Sequence, residues 1–230
     1  MDSKLEQPNE SEKETTPLEE TPKAKEKTKA EWLVMIYLAG DNNLAEECVF
    51  ALTEMKRIGS VDNKMEVMIH LDTTVHENAV MRVKKSIKPG DTNKELMEMR
   101  DERIERMRRR AANPEDESNT DEDDEQSGVV FNFVKKCIDK VEANHHMLIL
   151  SGHGNGTADS FLREEDEDAD GLSVIGMAQQ IERIRKDLLN NRQIDVLGLD
   201  SCLMSMGEIA YMVHNHVKVM IGAEGFEPRA

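Results

Sequence analysis

Apolar residues fall along this chain in short continuous runs, separated by stretches in which they recur every three or four positions. "WLVMIYLA" at 32–39 is an unbroken apolar run, partly β-branched, the pattern of a strand covered on both faces. Asp41 with Asn42 or Asn43 predicts a turn and a helix N-cap. Leu44, Cys48, Ala51, Leu52, Met55 and Ile58 then follow at helical spacing, closed by Gly59. "MEVMIHLD" at 65–72 repeats the strand pattern, which predicts a strand–helix–strand unit with parallel strands and a right-handed crossover. "AVMRVKKSI" reads as a hairpin strand, whereas "NKELMEMRDERIERMRRR" has helical propensity and many charges. The alternation resumes with a helical face of Val129, Val130, Phe133, Val134, Cys137, Ile138 and Val141. A strand "HMLILSG", a helix "GMAQQIERIRKDLLNN", a strand "IDVLGL", a helix "MGEIAYMVHN" and a strand "VKVMIGA" complete it. Five apolar strands separated by amphipathic helices predict a three-layer α/β domain with a mostly parallel sheet flanked by helices.

Two stretches break the pattern. Residues 1–30 mix Glu, Lys, Thr and Pro with almost nothing apolar, so they are expected to form a disordered charged tail before a single domain at 31–230. Residues 86–128 are expected to be an exposed charged insertion. The formal net charge of −17 disfavours nucleic acid or an anionic membrane as partner and would attract a basic one. No apolar run reaches the roughly 18 residues of a membrane span, and the N-terminus lacks a signal-peptide core, so a cytoplasmic location is expected. The three cysteines, Cys48, Cys137 and Cys202, are odd in number and lack any C-x-x-C pair, which suggests neither a disulfide framework nor a zinc site.

The candidate chemistry sits where two of the apolar runs stop. In a parallel sheet, functional groups collect at the carboxyl ends of strands, where loops leave the scaffold. His153 follows "MLILSG" and Cys202 follows "VLGLD", on strands expected to be neighbours. A lone cysteine at a strand end is commonly a buried, inert residue. A histidine at the end of a second strand changes the balance, because a nucleophile and its base come from different segments that converge in space. The paired histidines His145-His146 and His214-x-His216 lack Cys or carboxylate companions at ligand spacing and read as surface or loop residues.

An apolar strand followed by His153-Gly154, and another followed by Asp200-Ser201-Cys202, resemble the two blocks of the caspase-like cysteine peptidases. "DSCLMS" and "SGHGNG", with "WLVMIYLAGDNNL", "MKRIGS" and "VMIGAE", resemble the clostripain family within that superfamily, over 31–72 and 129–227. The resemblance implies a caspase-like fold and an endopeptidase cutting polypeptides after Arg or Lys through a Cys-His dyad, with no cofactor required. Cys202 would be the nucleophile and His153 the acid and base, with backbone N–H groups of Gly154 and Cys202 holding the oxyanion. Asp200, two residues before Cys202 on the same side of the strand, would meet the basic side chain. Its bland alternative is a cap on the following helix.

The resemblance also implies activation by self-cleavage, for which Arg163 in "FLREEDEDADGLS" is the candidate, being the one basic residue between His153 and the next helix. Asp166, Asp168 and Asp170, followed by Gly171, are spaced like the start of a calcium loop. A twelve-residue loop needs an acid where Met177 stands, so a solvated acidic loop is preferred and calcium is kept as the alternative. Clostripain relatives continue beyond the strand at "GAE", whereas this chain stops at "FEPRA"; a missing C-terminal part, or a second chain completing the domain, is the expectation. Glu224 and Glu227 fall near the family's pocket-lining segment. The rival reading is a non-catalytic caspase-like scaffold or regulatory partner.

Overall fold

The computed structural model describes residues 27–73, 79–86, 128–157, 161–162 and 172–226, together with Lys88, Thr92, Lys94 and Leu96. Six strands form one sheet: β1 (Thr28–Gly40), β2 (Met65–Thr73), β3 (Ala79–Arg82), β4 (Val141–Ser151), β5 (Ile194–Asp200) and β6 (Val217–Gly222). Their order is β3-β2-β1-β4-β5-β6, with β3 antiparallel to β2 and every other neighbouring pair parallel. The helices are α1 (Ala45–Ile58), α2 (Val129–Lys140), α3 (Val174–Arg183), which runs on as a π-helical turn Ile184–Leu188, and α4 (Gly207–Val213).

The unbroken apolar run of β1 is explained by its central place. Leu33, Met35, Tyr37 and Ala39 face one core with Phe133, Cys137, Ile181 and Ile209 from α2, α3 and α4. Ile36 and Leu38, on the alternate positions, face a second core with Cys48 and Leu52 of α1. Helices thus lie on both faces of the sheet. The α1 side is covered over β1 and β2, whereas Val219 and Ile221 of β6 are 50% and 56% exposed. The "VKVMIGA" pattern predicts a strand there correctly, but one of its faces is open among the described residues.

Several boundaries differ from the sequence expectation. β1 starts at Thr28, inside the stretch expected to be tail, because Thr28, Lys29 and Ala30 pair with Val141, Glu142 and Ala143 of β4. Val141, assigned by periodicity to the helix, opens that strand instead. The paired extension is held by backbone hydrogen bonds more than by burial, which is why polar residues can occupy it. Thr92 and Leu96 lie within the expected exposed insertion yet are 2% and 1% exposed, and Leu96 joins the α1-side core. The start of α2 is covered from another helix: the Gln180 side-chain oxygen accepts from the backbone N–H groups of Val130 and Phe131 at 3.0 and 3.1 Å.

Candidate active site

β4 and β5 are adjacent and parallel, with Ser151 opposite Asp200 in the register. His153 lies two residues past the end of β4 and Cys202 two past the end of β5, so both stand at the same carboxyl edge of the sheet. The two strand ends are joined to each other. Gly152 N–H donates to the Asp200 carbonyl at 3.3 Å, and the Ser201 hydroxyl, with its single hydrogen, lies 2.7 Å from the carbonyl oxygens of both Gly152 and Asp200. Ser201 is 1% exposed, so this link is shielded from water.

Gly154 shows how closely the two loops approach. A Cβ there would lie 2.5 Å from the Cys202 carbonyl oxygen, 2.7 Å from Met204 Cγ and 2.9 Å from Ser201 Cβ. Only a residue without a side chain lets the His153 loop rest on the Cys202 backbone. Beyond Cys202 the chain turns through Leu203 with φ of +61°, a conformation costly for a branched side chain. Two backbone bonds hold that turn, Leu203 N–H to the Gly225 carbonyl at 3.0 Å and Ser205 N–H to the Ala223 carbonyl at 2.9 Å. They dock the Ala223–Gly225 segment, and with it Glu224, against the loop after Cys202.

His153 is held at two points. Its backbone carbonyl accepts from Leu162 N–H at 3.0 Å, and its ring Nε2 lies 2.7 Å from Asn43 Oδ1. The turn that presents Asn43 is built by its neighbour. Asn42 is buried; its Nδ2 donates to the Ala39 carbonyl at 3.1 Å and its Oδ1 accepts from Leu44 N–H at 2.8 Å. The expected side-chain N-cap of α1 is absent: Leu44 occupies the cap position, and the asparagines serve the turn and the histidine instead.

Asp200 ends β5 with its side chain exposed, and its Oδ2 accepts from Ser151 Oγ at 2.8 Å. Helix capping is not its role, since α4 begins seven residues later behind Met206. A hollow of about 380 Å³ opens beside it over the uncovered part of the sheet, lined by Met147, Ile149, Gly198, Leu199, Ile221 and Gly222. Gly198 keeps this surface low; a Cβ there would lie 3.2 Å from Ile149 Cγ1.

The other two cysteines have no such setting. Burial, assisted by the nearby carboxylates of Glu47 and Asp200, pushes the Cys48 thiol up to about 11, and burial pushes Cys137 up to about 12 against a small opposing pull from Lys140. Both stay protonated core residues. Cys202 is the partly exposed one. His145 stacks on Trp32 with its Nδ1 3.3 Å from Asp195 Oδ1, and His146 is 4% exposed, so the former makes structural contacts and the latter packs inside. Among the described residues no group of three or more His, Cys, Asp or Glu gathers to hold a metal. No helix among them is long and apolar enough to cross a membrane. Arg163, Asp166, Asp168, Asp170 and Glu227 lie outside the described residues.

Three contributors carry little signal in the sequence, Asn43 being marked there only as a turn or cap residue. Ser201 lies just past the end of β5, and its hydroxyl reaches the Gly152 carbonyl 49 residues away, a contact that no local pattern marks. Ser151 and Asn43 likewise each work through a contact with a distant segment.

Comparison with known proteins gives this geometry its context. The profile of the clostripain family matches residues 36–230. No curated protein matches the chain. Among solved structures, it is similar to a secreted C11 cysteine protease from Bacteroides thetaiotaomicron in complex with an irreversible peptide inhibitor. The TM-score is 0.55 at 14% identity, over 86% of this chain and 50% of that one. A second structure of a secreted C11 cysteine protease from the same organism, "iotapain", gives 0.51 at 14% identity, over 86% and 53%. An inactive zymogen C11 protease from Parabacteroides distasonis gives 0.45 at 16% identity, over 89% and 51%. This chain therefore spans about half the length of the solved structures it matches. The first two likenesses establish a shared fold, and a family match that covers most of the sequence, both strand-end blocks included, establishes descent: the chain belongs to the clostripain family.

Proposed function

We propose that this chain carries the reactive cysteine and histidine of a cysteine endopeptidase that cuts polypeptides after arginine or lysine. The observation that carries the reading is the pairing of β4 with β5, which brings His153 and Cys202 to one edge of the sheet in a member of the clostripain family. His153 takes the proton of the Cys202 thiol, and the resulting thiolate attacks the scissile carbonyl carbon, forming a carbon–sulfur bond and a tetrahedral oxyanion. Backbone N–H groups of Gly154 and Cys202 stabilise that oxygen, a role that requires donors fixed in advance, and the close Gly154 approach supports it. Collapse breaks the carbon–nitrogen bond while the imidazolium protonates the departing amine. Water, deprotonated by His153, then cleaves the thioester and the sulfur recovers a proton. No step calls on a cofactor.

Specificity is assigned to Asp200 and the hollow beside it. The aliphatic stem of an arginine or lysine suits the apolar floor of Met147, Ile149 and Ile221, with its cationic head against the carboxylate that Ser151 orients. The exposed β6 face supports a further polypeptide, from the same or a second chain, as the piece that completes the domain. The reading is tested with fluorogenic peptides that differ only in the residue before the cut. Hydrolysis restricted to Arg and Lys is expected, and equal rates with Leu or Gln there would reject the assignment.

Arg163 is the proposed site of activating self-cleavage, at the Arg163-Glu164 bond. Intact-mass measurement of the incubated protein should show two fragments meeting at that bond in the wild type and a single chain in Arg163→Ala. An uncut wild type would remove the proposal.

A further inference from the structure

We propose that Asn43 is a positioning residue for the histidine: its side-chain oxygen fixes the ring of His153 so that Nδ1 is the nitrogen left to exchange protons with Cys202. The inference rests on the peptidase reading for the role of His153, but its geometry stands independently. Asn43 lies beyond the end of β1, the strand that pairs with β4 on the side opposite β5. The two candidate reactive loops and the Asn43 turn therefore leave three consecutive strands at one edge. His153 Nε2 and Asn43 Oδ1 are 2.7 Å apart, across 110 residues of sequence.

A neutral imidazole has one nitrogen that donates and one that accepts. An amide oxygen only accepts, so the contact places the hydrogen on Nε2 and leaves the lone pair on Nδ1. The same bond stops the ring from turning about its Cβ–Cγ axis. Asn43 is itself exposed, and what holds it in place is the buried Asn42, whose side chain ties Ala39 to Leu44 from within. This gives each member of the Asn42-Asn43 pair a separate task, one closing the turn and the other meeting the ring.

The test uses two variants of the full chain with side chains close in size to asparagine. Asn43→Leu loses the acceptor and Asn43→Asp keeps one. Both are checked by thermal unfolding, and an exposed position predicts little change in the transition. With a fluorogenic Arg peptide, Asn43→Leu is expected to lower kcat about 100-fold with KM nearly unchanged, the effect of misplacing a reacting group. Asn43→Asp should recover most of that loss. In protein labelled with nitrogen-15 histidine, the Nε2–H signal of His153 should be protected from solvent exchange in wild type and in Asn43→Asp, and lost in Asn43→Leu. A wild-type kcat and an unchanged ring N–H in Asn43→Leu would overturn the proposal, as would a loss that aspartate does not relieve. If the wild type cleaves no peptide, loss of the ring N–H in Asn43→Leu still supports the positioning contact, and the peptidase reading alone falls.

Discussion

Replacing Cys202 by alanine is expected to abolish the proposed peptide-bond hydrolysis and to leave the protein folded. Covalent catalysis has no substitute for its nucleophile, so kcat should fall by roughly 10⁴-fold or more, the scale seen when such a group is removed. The fold should not notice. Cys202 is partly exposed in a turn held by backbone bonds from Leu203 and Ser205, and the substitution removes one sulfur atom from that surface. The reciprocal control is Cys137→Ala. That thiol is 0% exposed in the main core and held protonated by burial, so its loss should cost about 1 kcal/mol of stability, of the order expected for a small core truncation, with the chemistry intact. Chemical denaturation and kcat measured on both variants check the pair. Residual hydrolysis in Cys202→Ala comparable to wild type would show that another group attacks the substrate.

The second large effect is expected at Asp200. Asp200→Asn keeps the shape and an acceptor for Ser151 but removes the charge that would meet an arginine or lysine. A charge-assisted pair in a partly enclosed site contributes about 2–3 kcal/mol, so kcat/KM for Arg and Lys peptides should fall about 100-fold. Hydrolysis after uncharged residues should stay level or rise. Steady-state kinetics on a matched Arg and Gln peptide pair reads the ratio directly. A uniform loss on both peptides would mean that Asp200 supports the strand end and does not select the substrate. That outcome would trace to the bond that the Asp200 side chain accepts from Ser151 Oγ, which ties the ends of β4 and β5 together.

The same contrast between local and distant contacts decides what the sequence reveals. His153 and Cys202 are legible because each follows an apolar run, and a parallel sheet delivers the residues after its strands to one edge. The order of the strands bears out the expectation that β4 and β5 are neighbours and adds the register, with Ser151 opposite Asp200. Asn43 is legible only as a turn residue, since its partner lies 110 positions away and nothing in "GDNNL" marks an acceptor for an imidazole. Thr28–Ala30 look like tail because their place in β1 depends on the backbone of Val141–Ala143, not on their own side chains. Leu96 hides for a different reason: it stands with Met97 and Met99 in a stretch dominated by charge, whose composition reads as exposed, yet it packs against the α1-side core. The strand of Val219 and Ile221 is legible from its apolar run, but that run does not show that both residues are at least half exposed, at 50% and 56%.

In the rival reading this chain is a scaffold that does not cut peptides. Sheet, strand ends and Gly154 contact would be equally present in such a protein. Reactivity would not.

The direct measurement is covalent capture by a peptide with arginine before a thiol-reactive ketone, followed by mapping of the modified residue. Modification confined to Cys202, sparing Cys48 and Cys137 and suppressed in His153→Ala, is the predicted result. A folded protein whose Cys202 reacts no faster with the arginine probe than with a neutral one, or is indifferent to the loss of His153, would contradict the account.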